Sequence, residues 1–421
     1  MKIIVLAGGE GKRMWPIQTD KCLIPFLGKP LLYHNLKQIK FHLEGVKAHL
    51  PGELDSFVIV VSPQIKEEVS KIAQSLDLNF QIAVQNEPKG MADAILSAKE
   101  LIEGEILIIN AEDILDVSAF KGNFEGDVLL TGLKVDKYFP GGYIKATGNS
   151  VQAIVEKPEE GNEPSDLVKL VVDYFKDGKK LVEYLEKVED PERSRRDDVY
   201  EKALGRMISD GLDVKFSKYE GTWIPLKYPW HILDITAYFL SQITTKDKIV
   251  IEEGAKVFEG AVIKGPCYIG KNCIVGNNSF VRESDLEEGC VTGFNSDITR
   301  SYVGANSWFH TNYVGDSVVE GDFGMGSGAI LANLRLDGKT IGDTERHKLG
   351  LIAGKGVRIG VNASTMPGVK IGSNSLVGPG VVLHEDVKEN TKILVKQEYQ
   401  TSEHAPVLIS YDQFRDKLEK L

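Results

Sequence analysis

An apolar run, Met1-Lys2-Ile3-Ile4-Val5-Leu6, leads directly into Gly8-Gly9-Glu10-Gly11-Lys12-Arg13-Met14. Glycine has no Cβ and reaches dihedrals that other residues avoid, so the backbone N–H groups of such a turn can close on phosphate oxygens. Two cations, Arg13 and Lys21, follow on the same loop, and Lys21-Cys22-Leu23-Ile24-Pro25 runs on to Gly28-Lys29-Pro30 and a helix. A glycine-rich turn after a strand is weak evidence alone. The two cations make this one a candidate for holding nucleotide phosphates, with Gly8, Gly9 and Gly11 as the cradle.

The elements that must position this loop change character along the chain. Up to about residue 240, short apolar strands (Ile3–Leu6, Phe57–Val61, Ile106–Ile109, Val128–Thr131) alternate with amphipathic segments such as Ile65–Leu76 and Ala92–Ile102. That alternation predicts a mostly parallel, doubly wound α/β sheet of Rossmann-like type. From about residue 250, apolar residues fall on every sixth position: Val257, Ile263, Ile269, Val275 and Val281, then Ile359, Ile371, Val377 and Leu383, with Thr365 in phase. Such a hexad predicts a left-handed parallel β-helix, with one inward side chain per short strand and glycine or asparagine at the corners. The expected divisions are 1–240 for the α/β domain, 241–395 for the β-helix and 396–421 for a tail. A short helix there would bear Phe414, Leu418 and Leu421 on one stripe. The hexad breaks between Leu334 and Lys348, which reads as a loop leaving the prism, a common place for a binding site.

Bulk properties narrow the classes further. A chain of 421 residues exceeds one hydrophobic core. Its net charge of -11 argues against nucleic acid or an anionic membrane as the main partner. There is no signal-peptide pattern and no apolar run near the roughly 18 residues of a bilayer span. Four cysteines without a metal-ligand pattern suggest free thiols in a cytoplasmic protein, and Cys267 and Cys273, one hexad apart, are expected to be structural.

The run Gly9-x-Gly11-x-Arg13-Met14-x-Pro16, Lys21-x-x-x-Pro25, Gly28-Lys29-Pro30 resembles the signature of the sugar-1-phosphate nucleotidylyltransferases. Further marks follow in order: Gln85-x-x-Pro88-x-Gly90-x-Ala92-x-Ala94, then Asp113, then Ile154-Val155-Glu156-Lys157-Pro158. The resemblance covers about residues 1–235. It implies attack of a sugar phosphate oxygen on the α-phosphorus of UTP or dTTP, with pyrophosphate leaving. Because that nucleophile is already anionic, catalysis would be alignment and charge neutralisation. Arg13 and Lys21 would stabilise phosphates, Gln85 with Gly90 would meet the base, Glu156 the sugar hydroxyls and Lys157 the sugar phosphate. Asp113 would hold Mg²⁺, a hard cation suited to one or two carboxylates plus phosphates.

A second resemblance lies in the β-helix. Phe309-His310-Thr311-Asn312-Tyr313-Val314-Gly315-Asp316 is similar to the His-x-x-Tyr-x-Gly-Asp motif of bifunctional UDP-N-acetylglucosamine pyrophosphorylase/glucosamine-1-phosphate acetyltransferases. Gly326 to Arg335 looks like the next segment of archaeal members. The resemblance implies acetyl transfer from acetyl-CoA to an amino-sugar 1-phosphate in a homotrimer, with acetyl-CoA in a groove between subunits. His310 would be the general base, since neutral imidazole suits that task at cellular pH. Arg282 would pair with the sugar phosphate, and Tyr313 and Asn333 would contact the sugar or acyl group. An isolated histidine would read as an ordinary polar loop residue; the motif gives this one its role.

Several positions depart from these patterns. Glu112 stands where glycine is usual before Asp113, Lys169 where an asparagine grips the sugar, and Pro225 where relatives carry a second metal-binding aspartate. Proline cannot ligate a metal, which leaves Asp234 as a substitute acid or the transfer activity reduced. Thr299 stands in place of a sugar-gripping lysine, with Arg300 and the pair His347-Lys348 as compensating charge. Three readings follow: a bifunctional enzyme; a single-activity glucose-1-phosphate-type nucleotidylyltransferase whose β-helix serves assembly; or a degenerate nucleotide-sugar-binding regulatory protein.

Overall fold

A computed structural model describes residues 1–9, 11–45, 56–120, 124–188, 198–405, 412 and 415. Glu10 and the tail stripe of Phe414, Leu418 and Leu421 lie outside them. The first strand, β1 (Lys2–Ala7), is apolar on both faces because both are covered. Ile3, Val5 and Ala7 join the core under α1 (Leu31–Gly45) and α2 (Lys66–Ser75). Ile4 turns the other way, towards α3 (Met91–Ser97), α4 (Gly178–Lys187) and α5 (Val199–Ser209). A strand buried on both sides reads as a continuous apolar run.

The remaining strands of this sheet are β2 (Ser56–Val61), β3 (Phe80–Val84), β4 (Ile106–Asn110), β5 (Val128–Lys134), β6 (Gly142–Thr147), β7 (Ser150–Glu156), β8 (Leu167–Phe175) and β9 (Val214–Tyr219). Their order is β3-β2-β1-β4-β8-β5-β9-β7-β6. The strands β1 to β4 pair in parallel, as expected. The other half departs from a mostly parallel sheet: β8 is antiparallel to both β4 and β5, and β6–β7 is a hairpin. The hairpin follows from the two-residue connection Gly148-Asn149, which can join only antiparallel strands.

After α6 (His231–Ser241) the chain coils into a prism of stacked short parallel strands. One face runs from Ile249–Ile251 to Lys370–Ile371, a second from Val262–Lys264 to Val382–Leu383, and a third ends at Lys392–Ile393. Ile269, Val275 and Val281 point inwards with Cys267, Cys273 and Cys290, all fully buried and unpaired, so the cysteines are packing residues. Val257 keeps the hexad phase but is exposed, because its strand pairs on one side only, at the open end of the prism. The hexad fades after residue 281 because the coils shorten. Ile249 pairs with Cys267, 18 positions on, whereas Tyr302 pairs with Val318, 16 on. The segment interrupted in sequence does leave the prism, and a Leu334–Lys348 antiparallel bridge closes its base.

The two architectures share a core. Met14, Ile17, Phe26 and Leu31 from the phosphate-loop region pack with Leu226, Trp230 and Ile235, and with Tyr302, Val318 and Ile352 of the prism. Carboxylates of the prism also grip that loop. Glu320 Oε1 accepts from the N–H groups of Gln18 and Thr19 and from the Thr19 hydroxyl at 2.6–2.8 Å. Asp285 and Glu287 accept from Leu27 N–H (3.0 Å) and Gly28 N–H (3.1 Å).

Candidate active sites

The glycine loop leaves the C-terminal edge of β1, where a doubly wound sheet opens its ligand crevice. Gly11 has φ +61, a conformation that favours glycine, and it starts the short 3-10 turn Lys12–Met14. Asp20 accepts from Cys22 N–H and so starts a second such turn, Lys21–Leu23, which carries Lys21. A cleft of about 540 Å³ is lined by Gly8, Gly9 and Gly11 with Lys21 and Gln85. Five sequence-predicted residues therefore meet in one cavity.

Gln85 is held firmly. Its amide N–H₂ donates to Gly90 O (3.1 Å) and to Asp93 Oδ2 (2.9 Å), which leaves Oε1 facing Gly8. An acceptor fixed in that place suits a base with a ring N–H on its pairing edge, as in uracil or thymine, and disfavours cytosine and adenine. Removing the anchor should loosen this choice. In Asp93→Ala the amide can flip, and the ratio of kcat/KM for UTP over CTP is expected to fall by about tenfold; an unchanged ratio in a pyrophosphate-release assay would remove Asp93 from selectivity.

Lys21 is paired with Glu112 across the cavity floor. Burial pushes the Glu112 carboxyl up to about 7, against the pull of the Lys21 charge. A Cβ on Gly9 would lie 3.1 Å from Glu112 Oε1, so the missing side chain keeps this pair accessible from the loop. Asp113 is partly exposed, and its Oδ2 accepts from the Trp223 indole N–H at 3.2 Å. Burial raises its pKa, while the Trp223 bond and the Lys227 charge lower it. Glu156 and Lys157 pair at 3.0 Å at the end of β7, and Arg13 is exposed on its short turn.

Among the described residues, no group of three or more His, Cys, Asp or Glu is placed to hold a metal ion. The Asp113 carboxylate, next in the chain to Glu112, is held by the side chains of Trp223 and Asn110. Mg²⁺ tolerates a single protein carboxylate when phosphates supply other oxygens, so the donor set fits a phosphate-borne ion. Asp234 is not the substitute ligand considered from sequence; it forms an ion pair with Arg346 of the inserted loop. Lys169 is buried on β8, 2.7 Å from Asp173, which also accepts from Tyr200 OH. Its charge is matched inside the fold.

The prism forms a second polar cluster. Asn333 Nδ2 donates to Tyr313 OH (3.1 Å) and to Asp316 Oδ2 (2.5 Å). Arg300 forks onto both Asp316 oxygens at 2.6 and 2.7 Å. Arg300 is thus committed to Asp316 and not free to replace a sugar-binding lysine. A Cβ on Gly315 would lie 2.6 Å from Tyr313 OH and 2.5 Å from Asn333 Nδ2, so only glycine leaves room for their contact. His310 is exposed on the preceding turn beside Trp308, with ring centroids 6.5 Å apart. Its backbone N–H donates to Asn312 Oδ1 at 2.7 Å. Asn312 in turn donates to Gly326 O and Ala329 O, which ties the histidine turn to the next coil. Arg282 lies in register with Thr299, itself in register with Gly315, and its guanidinium is 3.5 Å from Glu283. His347 hydrogen-bonds Gly338 O within its own loop.

Sequence reasoning did not assign Lys227 or Glu320 a place in either site, and gave Glu112 and Asp316 no partner. Glu112 was read as a negative charge next to Asp113 and Asp316 as the last residue of the histidine motif, but their pairing with Lys21 and Arg300 is a tertiary fact. Lys227 and Glu320 carry no local signal, since each acts across the fold.

Comparison with known proteins agrees with both halves. A nucleotidyl transferase family matches residues 2–224, and a bacterial hexapeptide transferase repeat matches residues 248–283 and 354–385. The gap between the repeat matches spans the shortened coils and the inserted loop. A bifunctional sugar-1-phosphate nucleotidylyltransferase/acetyltransferase of Sulfurisphaera tokodaii is 30% identical over 92% of this chain and 98% of its own length. The bifunctional protein GlmU of Methanocaldococcus jannaschii is 30% identical over 94% of this chain and 98% of its own.

Proposed function

Because the chain belongs to the nucleotidyl transferase family and continues into a hexapeptide β-helix, we propose that it activates an amino sugar in two steps. At the prism, acetyl-CoA acetylates an amino-sugar 1-phosphate. The amine nitrogen attacks the thioester carbon, the C–S bond breaks, and the amine proton passes to His310 Nδ1 or Nε2. At the α/β domain, a phosphate oxygen of the N-acetylated sugar attacks the α-phosphorus of UTP or dTTP. The bond to the β-phosphate breaks and pyrophosphate leaves.

The observation that carries this reading is the convergence of Gly8, Gly9, Gly11, Lys21 and Gln85 on one cleft of nucleotide size, in a chain that also holds the Tyr313–Asn333–Asp316 cluster. Arg13 and Lys21 meet the triphosphate, Gln85 the base, and Glu156 and Lys157 the sugar phosphate. Mg²⁺ bound by Asp113 and phosphate oxygens would neutralise charge at the α-phosphate. In the prism, Arg282 takes the sugar phosphate, while Tyr313 and Asn333 orient the acceptor. The assembly read here is a cytoplasmic homotrimer with acetyl-CoA between subunits.

The polar cluster favours this over a purely structural prism, which would not need a glycine kept clear for a Tyr–Asn contact. A panel of nucleoside triphosphates and sugar 1-phosphates, assayed with Mg²⁺ for pyrophosphate and with acetyl-CoA for free thiol, tests it. Release of both products is expected, with UTP or dTTP preferred. Absence of pyrophosphate with every pair would leave the regulatory reading standing.

A further inference from the structure

Lys227 belongs to no motif, yet the fold carries it into the nucleotidyl site. Its flanking residues Leu226 and Trp230 are buried in the core shared by the two architectures, so the turn bearing it is fixed. Its Nζ lies 3.7 Å from the Phe139 ring centroid and 3.5 Å from Pro140 O. Phe139 meets the ring of Trp223, the donor to Asp113, edge-on at 4.8 Å, and Gly141 O accepts from Lys157 N–H at 3.0 Å. Asp113, Lys157 and Lys227 thus gather around the turn at residues 139–141. The charges of Arg13 and Glu156 also act on Lys227. Three cations from three separate segments therefore face two carboxylates. One of these, Asp113, already accepts an indole N–H, and the other, Glu156, already contacts Lys157. Lys227 is half-buried while Arg13 and Lys157 reach solvent, and gathering three like charges in one place is unfavourable unless an anion joins them. A phosphate is the anion such a set fits, since several cationic donors can share its oxygens.

Resting on the nucleotidyl-transfer reading above, we propose that Lys227 is a further catalytic residue, whose ammonium binds the phosphate of the incoming sugar 1-phosphate between Lys157 and Arg13. There it holds one non-attacking oxygen while another attacks the α-phosphorus. The new O–P bond forms as the bond to the β-phosphate breaks, and the electron pair leaves on pyrophosphate. Lys227 transfers no proton; it aligns the nucleophile and offsets charge at the point where two anions must meet.

The rival explanation is that Lys227 only braces Phe139 and Asp113. Lys227→Met separates the two, because it keeps an aliphatic stem over the ring and the backbone N–H that meets His231 Nδ1 (3.3 Å). Binding of N-acetylglucosamine 1-phosphate and of neutral N-acetylglucosamine would be measured by calorimetry in EDTA, without nucleotide, and kcat/KM by pyrophosphate release. The methionine variant is expected to weaken the phosphorylated sugar at least tenfold, leave the neutral sugar unchanged and lower kcat/KM about 10²-fold. Lys227→Arg should recover part of the binding. Equal weakening of both sugars, or none of either, overturns the proposal, as does a wild type that binds no phosphorylated sugar. A wild type that binds it but releases no pyrophosphate with any nucleotide defeats the nucleotidyl-transfer reading, and the charge-dependent binding still decides Lys227.

Discussion

Lys21→Ala is expected to lower pyrophosphate release by about 10²–10³-fold while acetyl-CoA consumption stays at the wild-type rate, and His310→Ala is expected to do the reverse. The first effect follows from where Lys21 sits. It reaches the floor of the nucleotide cleft beside Gly9, with Glu112 as its partner while no phosphate is present. Phosphates entering the cleft would compete with that carboxylate for the ammonium, so truncation removes charge stabilisation at the reacting group. It also leaves Glu112 buried without a cation, a situation relieved by proton uptake, because burial already holds that carboxyl near neutrality. The variant should therefore fold, with a lower melting temperature. His310 is exposed, so its truncation should leave stability nearly unchanged. Paired progress curves for pyrophosphate and free thiol decide the matter, and loss of both activities in either variant would sink the assignment of two independent sites.

Glu287→Gln is expected to raise the melting temperature at pH 8 by several degrees and to flatten the fall in stability between about pH 5 and pH 8. Glu287 and Asp285 stand on one face of the prism, buried together against the chain at Leu27 and Gly28. Burial raises both carboxyls, Glu287 to about 7, and their mutual repulsion adds to the rise in Asp285. Tyr268 and Tyr302 also face them, and neither supplies a positive charge. The sign follows from the direction of the shift. A carboxyl whose folded pKa is raised gives its full stabilising contribution below its ordinary value of 4.5. That contribution is lost as pH rises through about 7, when a charge must form in a dry interface. Glutamine keeps an acceptor for the Gly28 N–H and removes the titration. Thermal melts across pH would show the effect, and a wild-type stability that rises from pH 5 to pH 8, unaltered in slope by the substitution, would contradict it.

Much of the architecture was legible because it repeats or alternates. The hexads at residues 257–281 and 359–383 mark the prism, since a fixed inward period survives wherever coils keep one length. Between them the coils contract and the pattern is lost, though the stacking continues through Val303, Val314 and Val319. The parallel half of the α/β sheet was legible from its apolar runs, whereas β8 is antiparallel to β4 and β5 through pairings between strands distant in the chain, which no local pattern records. Within the sites, Gln85 was legible as a residue, but its orientation was not, because Asp93 and Gly90 fix the amide only once α3 is in place.

The sequence by itself determined the glycine cradle, the Arg13 and Lys21 charges, the histidine motif and the two architectures. These depend on local dihedral freedom and short-range periodicity, which a linear chain records. Tertiary structure alone decided that Glu112 holds Lys21, that Lys169 and Asp234 are engaged elsewhere and that Lys227 enters the phosphate region. It also decided that Glu320, some 300 positions away, grips the nucleotide loop. Charge pairing and burial act through space, so residues far apart in the chain acquire their roles only when packing brings them together.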